Sequence, residues 1–543
     1  MSTPAAQRLP HNKWWIALSV TFGTLMGTID ASIVNVATPH LRGAMGATVQ
    51  EITWVTTGFV IANVVVMPLT AFLGRLFGQK RVYLAALIVF IVGSALCGLA
   101  HSLSTLVVFR VLQGLGAGAL QPTEQAILRQ SFPPEEQGMA MALFGVAVVI
   151  GPAFGPTLGG YIIDNYSWEW IFYINLPVGC LALFMVSRFV HEPEDIRLSN
   201  QAQAEIQRRS MDWAGIGLLA LGVATLQYVL EEGSRLDWFD STEVVALSAV
   251  SLVAMVGFIV RELTAPVPAV RIRLFADRVF ATGTIIGAVM FAMLLSVTFL
   301  LPVFMQEMLG FTAVQAGVAL MPRALVMVVM MPIVGKLYNR VSARLTVTFG
   351  ALLFVLSAYI MSHYTLATST GDVVWVLLLQ GVAFSCLFIP VTTVALASIP
   401  RHSLADATGL NALLRQIGGS IGLAVFASFI PRFTQAARSG LVTHLAATNP
   451  AVTERLGSIA IYFEARGYDA VQAEQAAVRV LARSVMQQAT VLTFERLFFL
   501  AGVVFLLVLP LVILLKTPAP RTAPALDGAA AARAAEVDTH LEM

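Results

Sequence analysis

The sequence predicts an all-α integral membrane protein with 14 transmembrane helices, and three observations carry that expectation. The 543 residues are 57% hydrophobic and only 12% charged, about half the charged fraction of a soluble globular domain. The apolar residues come in runs such as 82–100, 244–260 and 497–515, each about the length that crosses a hydrocarbon core of roughly 30 Å. The chain also repeats itself at an offset of about 263 residues: GRLFG at 74–78 returns as GKLYN at 335–339, and GATVQ at 46–50 as GFTAVQ at 310–315. LQG at 112–114, followed by Pro122, returns as LQG at 379–381, followed by Pro390. Three matches at one offset argue for two duplicated six-helix bundles with two further helices inserted between them. Parallel halves of this kind are the architecture of rocking transporters, which bind substrate between the halves near the midplane.

Taken in order, the apolar runs place helices at 14–37, 52–73, 82–100, 104–127, 137–163 and 169–189, then two more at 213–230 and 242–261. The last six fall at 280–305, 315–336, 345–363, 373–396, 407–430 and 493–515. Arg8 and Lys13 lead into a first apolar stretch too long for a signal-peptide core and without a small-residue cleavage site, so it reads as a membrane helix. An even count puts both termini on one side. The loops on that side carry Arg75, Lys80 and Arg81, then Arg197, Arg208 and Arg209, then Arg271, Arg273 and Arg278, then Lys336, Arg340 and Arg344. The opposite loops carry little beyond Arg42 and Arg235. Positive residues mark the cytoplasmic side, so both termini are expected there.

The expected organisation is a cytoplasmic N-terminus at 1–13, a first bundle at 14–190, linkers and the two inserted helices at 191–279, a second bundle at 280–515, and a disordered cytoplasmic tail at 516–543. Within the second bundle, 431–492 reads as an extramembrane stretch on the outer side, helical from about 468 to 490. A segment of that length is exempt from the charge rule.

A net charge of +2 gives no reason to expect a nucleic-acid partner. Cys97, Cys180 and Cys386 lie in apolar runs, where they pack as small hydrophobes. No disulfide framework, metal-ligand spacing or cofactor motif is visible, and no phosphate-binding GxxxxGK[ST] is present.

Ionisable residues deep in membrane helices cost about +2.5 to +3.5 kcal/mol each by insertion scales, so those that remain point to function. Asp30 lies past the middle of the first helix, and Arg110 and Gln113 lie in the fourth at similar depth. A static ion pair fixing the two helices is one reading. The other is proton coupling, because desolvation and a neighbouring Arg act oppositely on a carboxyl group, and a site alternating between wet and dry swings its proton affinity. Glu124 comes nearly into line with Gln113 at about 100° per residue, as an acid at the inner mouth of a cavity or as an interfacial carboxylate. Asn35, Trp54, Asn63, Phe291, Phe304, Met321, Asn411 and Arg415 are the expected remaining lining of a mostly apolar cavity, and Arg323 is a further intramembrane cation. The fifth helix carries Gly151, Pro152, Gly155, Pro156, Gly159 and Gly160, small residues that permit a tight helix crossing and form a candidate hinge or seal between halves.

Together these segments resemble the major facilitator superfamily, and within it the 14-helix drug:proton antiporters of the EmrB/QacA type, the EmrB side fitting better because of the long segment before the last helix. IDASIVNVATP (29–39), FRVLQGLGAG (109–118) and GPAFGPTLGG (151–160) resemble the motifs of helices one, four and five. WEWIFYINLPVG (168–179), LDWF (236–239) and LLRQIGGSIG (413–422) are further subfamily features. The resemblance implies a proton-coupled antiporter exporting hydrophobic drug-like compounds, with dedicated export of one endogenous metabolite as the alternative. It implies coupling roles for Asp30, Arg110, Gln113 and Gly114. It also implies a periplasmic adaptor protein and an outer-membrane channel as partners, which the 431–492 segment would dock. Two positions depart from the family pattern: Arg75 stands where an acid is usual, and Glu169 where an Arg is usual.

Overall fold

The computed structural model describes residues 12–209, 211–445 and 449–515. The outer parts of both expected tails, 1–11 and 516–543, lie outside the described residues. Among the described residues, fourteen helices are long and apolar enough to cross a membrane. They are α1 (Lys13–Met45), α2 (Val49–Phe77), α3 (Gln79–Gly98), α4 (Leu103–Ser131), α5 (Pro134–Asn165), α6 (Trp170–Phe189) and α7 (Trp213–Glu232). The remainder are α8 (Thr242–Thr264), α9 (Arg278–Glu307), α10 (Val314–Leu337), α11 (Ala343–Met361), α12 (Thr370–Ala395), α13 (Arg401–Val442) and α14 (Ala470–Leu514). The side on which α1 begins and α14 ends is called the terminal face below, and the other the far face.

The sequence repeat has a structural counterpart. In the first half α1 packs on α5, α2 on α4 and α3 on α4. In the second, α9 packs on α13, α10 on α12 and α11 on α12. The repeated GATVQ and GFTAVQ segments are the same turn. Gly46 and Gly310 take left-handed backbone (φ 60° and 72°) after α1 and α9, a conformation glycine adopts without steric cost. Thr48 and Thr312 then cap the next helix reciprocally with Glu51 and Gln315, a capping box that satisfies backbone N–H groups at a helix start. Ser102 with Thr105 and Ser369 with Asp372 do the same for α4 and α12.

The inserted α7 and α8 pack on each other, and α7 also touches α2 of the first half and α13 of the second. The two halves meet at the terminal face, where α5 packs along α10 and α4 along α13. Gly138 and Gly335 bring those two backbones together: a Cβ at Gly138 would lie 2.5 Å from the Gly335 carbonyl oxygen. Asn339 donates to the Glu135 carbonyl, and Arg401 to the Gln130 carbonyl at 2.7 Å.

Two elements differ from expectation. The linker folds into a helix, Glu194–Arg209. The last two membrane helices run past their expected bounds at 430 and 493: α13 continues unbroken to Val442, and α14 begins at Ala470, in keeping with the helical character expected from about 468. Nothing at the end of either apolar run stops the helix. Pro431 lies inside α13, and the Ala- and Gln-rich 470–489 run is made of strong helix formers. A further helix, Pro450–Glu464, lies against this extension. Ala473, Ala476 and Ala477 are buried, whereas Val471, Val478 and Val480 remain exposed, as do Ile461 and Tyr462.

The glycines of α5 do not act alike. A Cβ would lie 2.4 Å from the Thr28 carbonyl carbon at Gly151, 2.5 Å from Ser32 Cβ at Gly155 and 3.3 Å from Ile33 Cγ2 at Gly159. These three form the crossing with α1, reinforced by Thr28 Oγ1 donating to the Ala147 carbonyl at 3.0 Å. A Cβ at Gly160 would meet nothing within 4 Å, so Gly160 lies outside the crossing. Pro152 and Pro156 sit within a continuous α5. Gly151→Val is therefore expected to cost about 1–3 kcal/mol by overpacking, and Gly160→Ala close to nothing. Thermal unfolding of both variants in detergent checks this, and equal melting curves would remove the crossing from the account.

Candidate functional site

Asp30 lies 17 residues into α1, about 25 Å along it at 1.5 Å per residue, and is fully buried. Its carboxylate accepts three hydrogen bonds from two other helices. Arg110 Nη1 donates to Oδ2 at 2.7 Å, and Gln113 Nε2 and Asn175 Nδ2 donate to Oδ1 at 2.9 and 2.7 Å. The donors are themselves tethered. Arg110 Nη1 also reaches Gln113 Oε1 at 2.7 Å, its Nε donates to the Val55 carbonyl at 3.1 Å, and Phe59 lies 4.0 Å from the guanidinium. Cys97 Sγ donates to Gln113 Oε1 at 3.7 Å, and Asn175 Nδ2 also contacts Ser94 Oγ at 3.0 Å. Charge-assisted bonds of this kind are roughly twice as strong as neutral ones, and this density of donors is what a buried carboxylate requires.

The LQGLGAG run builds the site by letting neighbours in. A Cβ at Gly114 would lie 2.4 Å from the Phe59 carbonyl oxygen, and one at Gly118 would lie 2.3 Å from that of Asn63, both on α2. A Cβ at Gly116 would lie 2.6 Å from the Phe90 nitrogen on α3. Small residues on two faces of α4 hold α2 and α3 at backbone contact, which fixes the depth of Arg110 and Gln113.

A second constellation lies where the halves meet. Arg415 on α13 is 3% exposed and ringed by Phe144 of the first half and by Phe291 and Phe388 of the second, at 5.4, 5.7 and 5.6 Å. Its Nε and Nη1 have no hydrogen-bond partner, nor has Asn411 Nδ2 one turn away. Arg323 donates from Nη2 to Thr298 Oγ1 at 2.8 Å, and its Nη1 is also unpartnered.

Asp30, Arg110 and Gln113 are thus brought together, and so are Phe291, Asn411 and Arg415. Others lie elsewhere. Glu124 is not at a mouth: it is fully buried between α1 and α4, accepts from Thr21 Oγ1 at 3.0 Å, and leaves Oε2 unpartnered. Phe304 is fully buried among Phe494, Phe498 and Tyr364, in the second half's own core. Its apolarity suited a core as well as a cavity. Trp54 stacks on Tyr228 of α7 at 5.5 Å, so it faces the inserted pair. Asn35 is exposed, Met321 and Asn63 are half-buried, and Asn63 Oδ1 has no partner.

Sequence reasoning missed Asn175 as a site residue. The signal was present, as a lone amide in the otherwise apolar run IFYINLPVG. Removing this third donor by Asn175→Ala is expected to cost about 1–3 kcal/mol, with reduced transport. Ser94→Ala, one contact further out, should cost less. Melting curves in detergent rank the two, and an Asn175→Ala protein as stable as wild type would remove Asn175 from the cluster.

A family model described as the Major Facilitator Superfamily matches residues 20–423. The multidrug export protein EmrB of Haemophilus influenzae is 33% identical over 93% of this chain and 96% of its own. EmrB of Escherichia coli is 32% identical over 93% and 95%. The fatty acid resistance protein FarB of Neisseria gonorrhoeae is 32% identical over 93% and 96%. Among solved structures, the human organic anion transporter MFSD10 is similar over 91% of this chain and 100% of that chain, with TM-score 0.57 and 15% identity. The proton:xylose symporter XylE is similar over 90% and 94%, with TM-score 0.55 and 12% identity. At such identities the likeness to these two is one of fold.

Proposed function

The chain belongs to the Major Facilitator Superfamily, and from that premise we propose that it is a proton-coupled antiporter exporting hydrophobic drug-like compounds from the cytoplasm or the inner leaflet of a bacterial inner membrane. The terminal face is the cytoplasmic one, on the strength of its Lys and Arg loops. Residues 14–190 and 280–515 act as the two rocking halves, with 191–279 as the insert between them. The multidrug export proteins similar over nearly the whole chain support the substrate range.

The observation that carries the coupling role is Asp30: a carboxylate deep in the bilayer, tied to donors from α4 and α6. Rocking that admits water or displaces one of those donors changes its proton affinity, and no other group is needed to couple proton flow to export. One proton crossing about 100 mV supplies about 2.3 kcal/mol, roughly a fiftyfold accumulation per proton. Asp30→Asn keeps the amide's size and leaves Arg110 with Gln113 Oε1 and the Val55 carbonyl as acceptors. It should fold, reach the membrane at wild-type level and lose efflux driven by a pH gradient in proteoliposomes. Wild-type gradient-driven transport by that variant would take the coupling role from Asp30.

Arg415 and Arg323 favour a second reading, dedicated export of one endogenous metabolite. Buried guanidinium groups with nitrogens that lack acceptors suit an anionic ligand, and the resemblance to a fatty acid resistance protein agrees with that class. Loss of resistance to chemically unrelated compounds in a deletion strain supports the first reading; loss of resistance to one compound class alone supports the second.

The extended ends of α13 and α14, with the helix between them, are the docking surface for a periplasmic adaptor that leads to an outer-membrane channel. Their exposed Val471, Val478, Ile461 and Tyr462 support this. Replacing 435–485 by a short turn should preserve transport in liposomes while abolishing whole-cell resistance and adaptor pull-down. Failure in liposomes as well would assign the segment to the transport path.

A further inference from the structure

Asp30 is not the only acid sealed inside the first half, and the surroundings of Glu124 are the reverse of its own. Asp30 has a guanidinium and two amides as donors. The fully buried Glu124 carboxyl receives one hydrogen bond, from a neutral hydroxyl, Thr21 Oγ1 at 3.0 Å. Thr24, one turn along α1 from Thr21, faces the same carboxyl, and both its Oγ1 and Glu124 Oε2 lack a partner within hydrogen-bond distance. Among the described residues no Lys, Arg or His pairs with Glu124. The cations that each packed element could offer are engaged elsewhere. Lys13 of α1 pairs with Glu136 of α5 at 2.5 Å, Arg75 of α2 with Asp406, and Arg129 of α4 donates to Gln137. From α13, Arg401 donates to the Gln130 carbonyl and Arg415 is enclosed by phenylalanines. On α3, Tyr83 turns its hydroxyl to the Val20 carbonyl.

We propose that Glu124 is a second proton-binding site of the transport cycle, loaded while the terminal side is shut and discharged to that side when the halves part. A bare carboxylate here would have one neutral donor to offset its burial. A proton on Oε2 supplies the donor that Thr24 Oγ1 can accept, so the neutral acid satisfies both unpartnered atoms. Glu124 lies seven residues before the end of α4, about 10 Å inside the terminal face. That end of α4 is where the second half packs, and opening the face admits water to it. Water hydrates the carboxylate and takes the proton as hydronium, and no other bond changes. Gln113 and Glu124 are nearly in line on α4 about 16 Å apart, with buried Ala117 and Leu120 between them. The two acids can therefore titrate separately. Asp30 couples proton flow to export, and Glu124 raises the exchange to two protons for each substrate molecule. The proposal rests on the antiport reading above.

The experiment has two readouts on the full chain, and the first needs no substrate. In lipid nanodiscs at neutral pH, infrared difference spectra between wild type and Glu124→Gln should show the carbonyl stretch of a protonated carboxyl group. The band should shift in deuterium oxide and survive Asp30→Asn; its absence would overturn the proposal. The second readout is ethidium accumulation in proteoliposomes with the membrane potential clamped at zero. A proton gradient of about tenfold should drive about a hundredfold accumulation by wild type and about tenfold by Glu124→Gln. Equal accumulation by the two proteins would overturn the second site and leave antiport standing. A wild type without gradient-driven transport would sink the antiport reading instead, and the infrared band would then decide Glu124 alone. Should Glu124→Gln fail to reach the membrane, Glu124→Asp and Thr21→Val replace it. Each should move the pH at which the band disappears, and an unmoved titration counts against the site.

Discussion

A charge placed inside a bilayer must find a partner, find water or be neutralised, and nearly every specific feature of this fold follows from how that demand is met. Its membrane helices carry few charges, and those few are treated in three different ways. Asp30 is surrounded by donors from two helices. Arg75 and Asp406 satisfy each other across the halves. Arg415 has aromatic faces but leaves two nitrogens without acceptors.

Those charges can be placed accurately because the helices around them approach at backbone distance. Lipid chains are as apolar as the helix surfaces, so helix association depends on close packing and small residues. Gly93, Gly114, Gly116 and Gly118 set α4 against α2 and α3, and Gly151 and Gly155 set α5 against α1. A Cβ at any of them would meet a neighbour at or below 2.8 Å. The glycine-rich motifs are therefore geometric before they are dynamic. They hold α4 at backbone distance from α2 and α3, and α5 from α1, and the Asp30 cluster sits within that frame.

The fold was legible in the sequence to the extent that one property varied along the chain. Apolar run length marked all 14 spans, and the repeat marked the two halves, because its GATVQ and GFTAVQ segments encode a left-handed glycine followed by a helix cap. Helix ends were less legible. A run of apolar residues says where lipid stops, not where the helix stops, and α13 and α14 continue well past that boundary. At the site, Asp30 and Arg110 stood out because charge is costly at their depth. Asn175 did not, since an amide in an apolar run is only mildly unusual. Phe304 and Trp54 show the converse limit: an aromatic residue on a membrane helix fits a core, an inserted neighbour or a cavity equally well until the packing is known. Arg75 is the clearest case, because its sequence surroundings describe an ordinary basic turn and its burial depends on α13, some 330 residues away.

The two inserted helices gain a rationale from the same reasoning. Twelve helices already suffice for two duplicated halves, and α8 exposes most of its surface, with Val250, Leu252, Val253 and Val256 among its exposed residues. Its partner α7, however, touches α2 and α13 together, and these are the helices that carry Arg75 and Asp406. Gln227 of α7 donates to Ser420 of α13 at 2.8 Å, Trp54 of α2 stacks on Tyr228, and Trp238 just beyond α7 donates to Ser428 at 2.7 Å. At the other end of the pair, the chain leaving α8 supplies the Ala269 carbonyl to Arg75. The insert therefore spans the seam between α2 and α13 along its length, with polar contacts toward the far face and the ion pair at the terminal face.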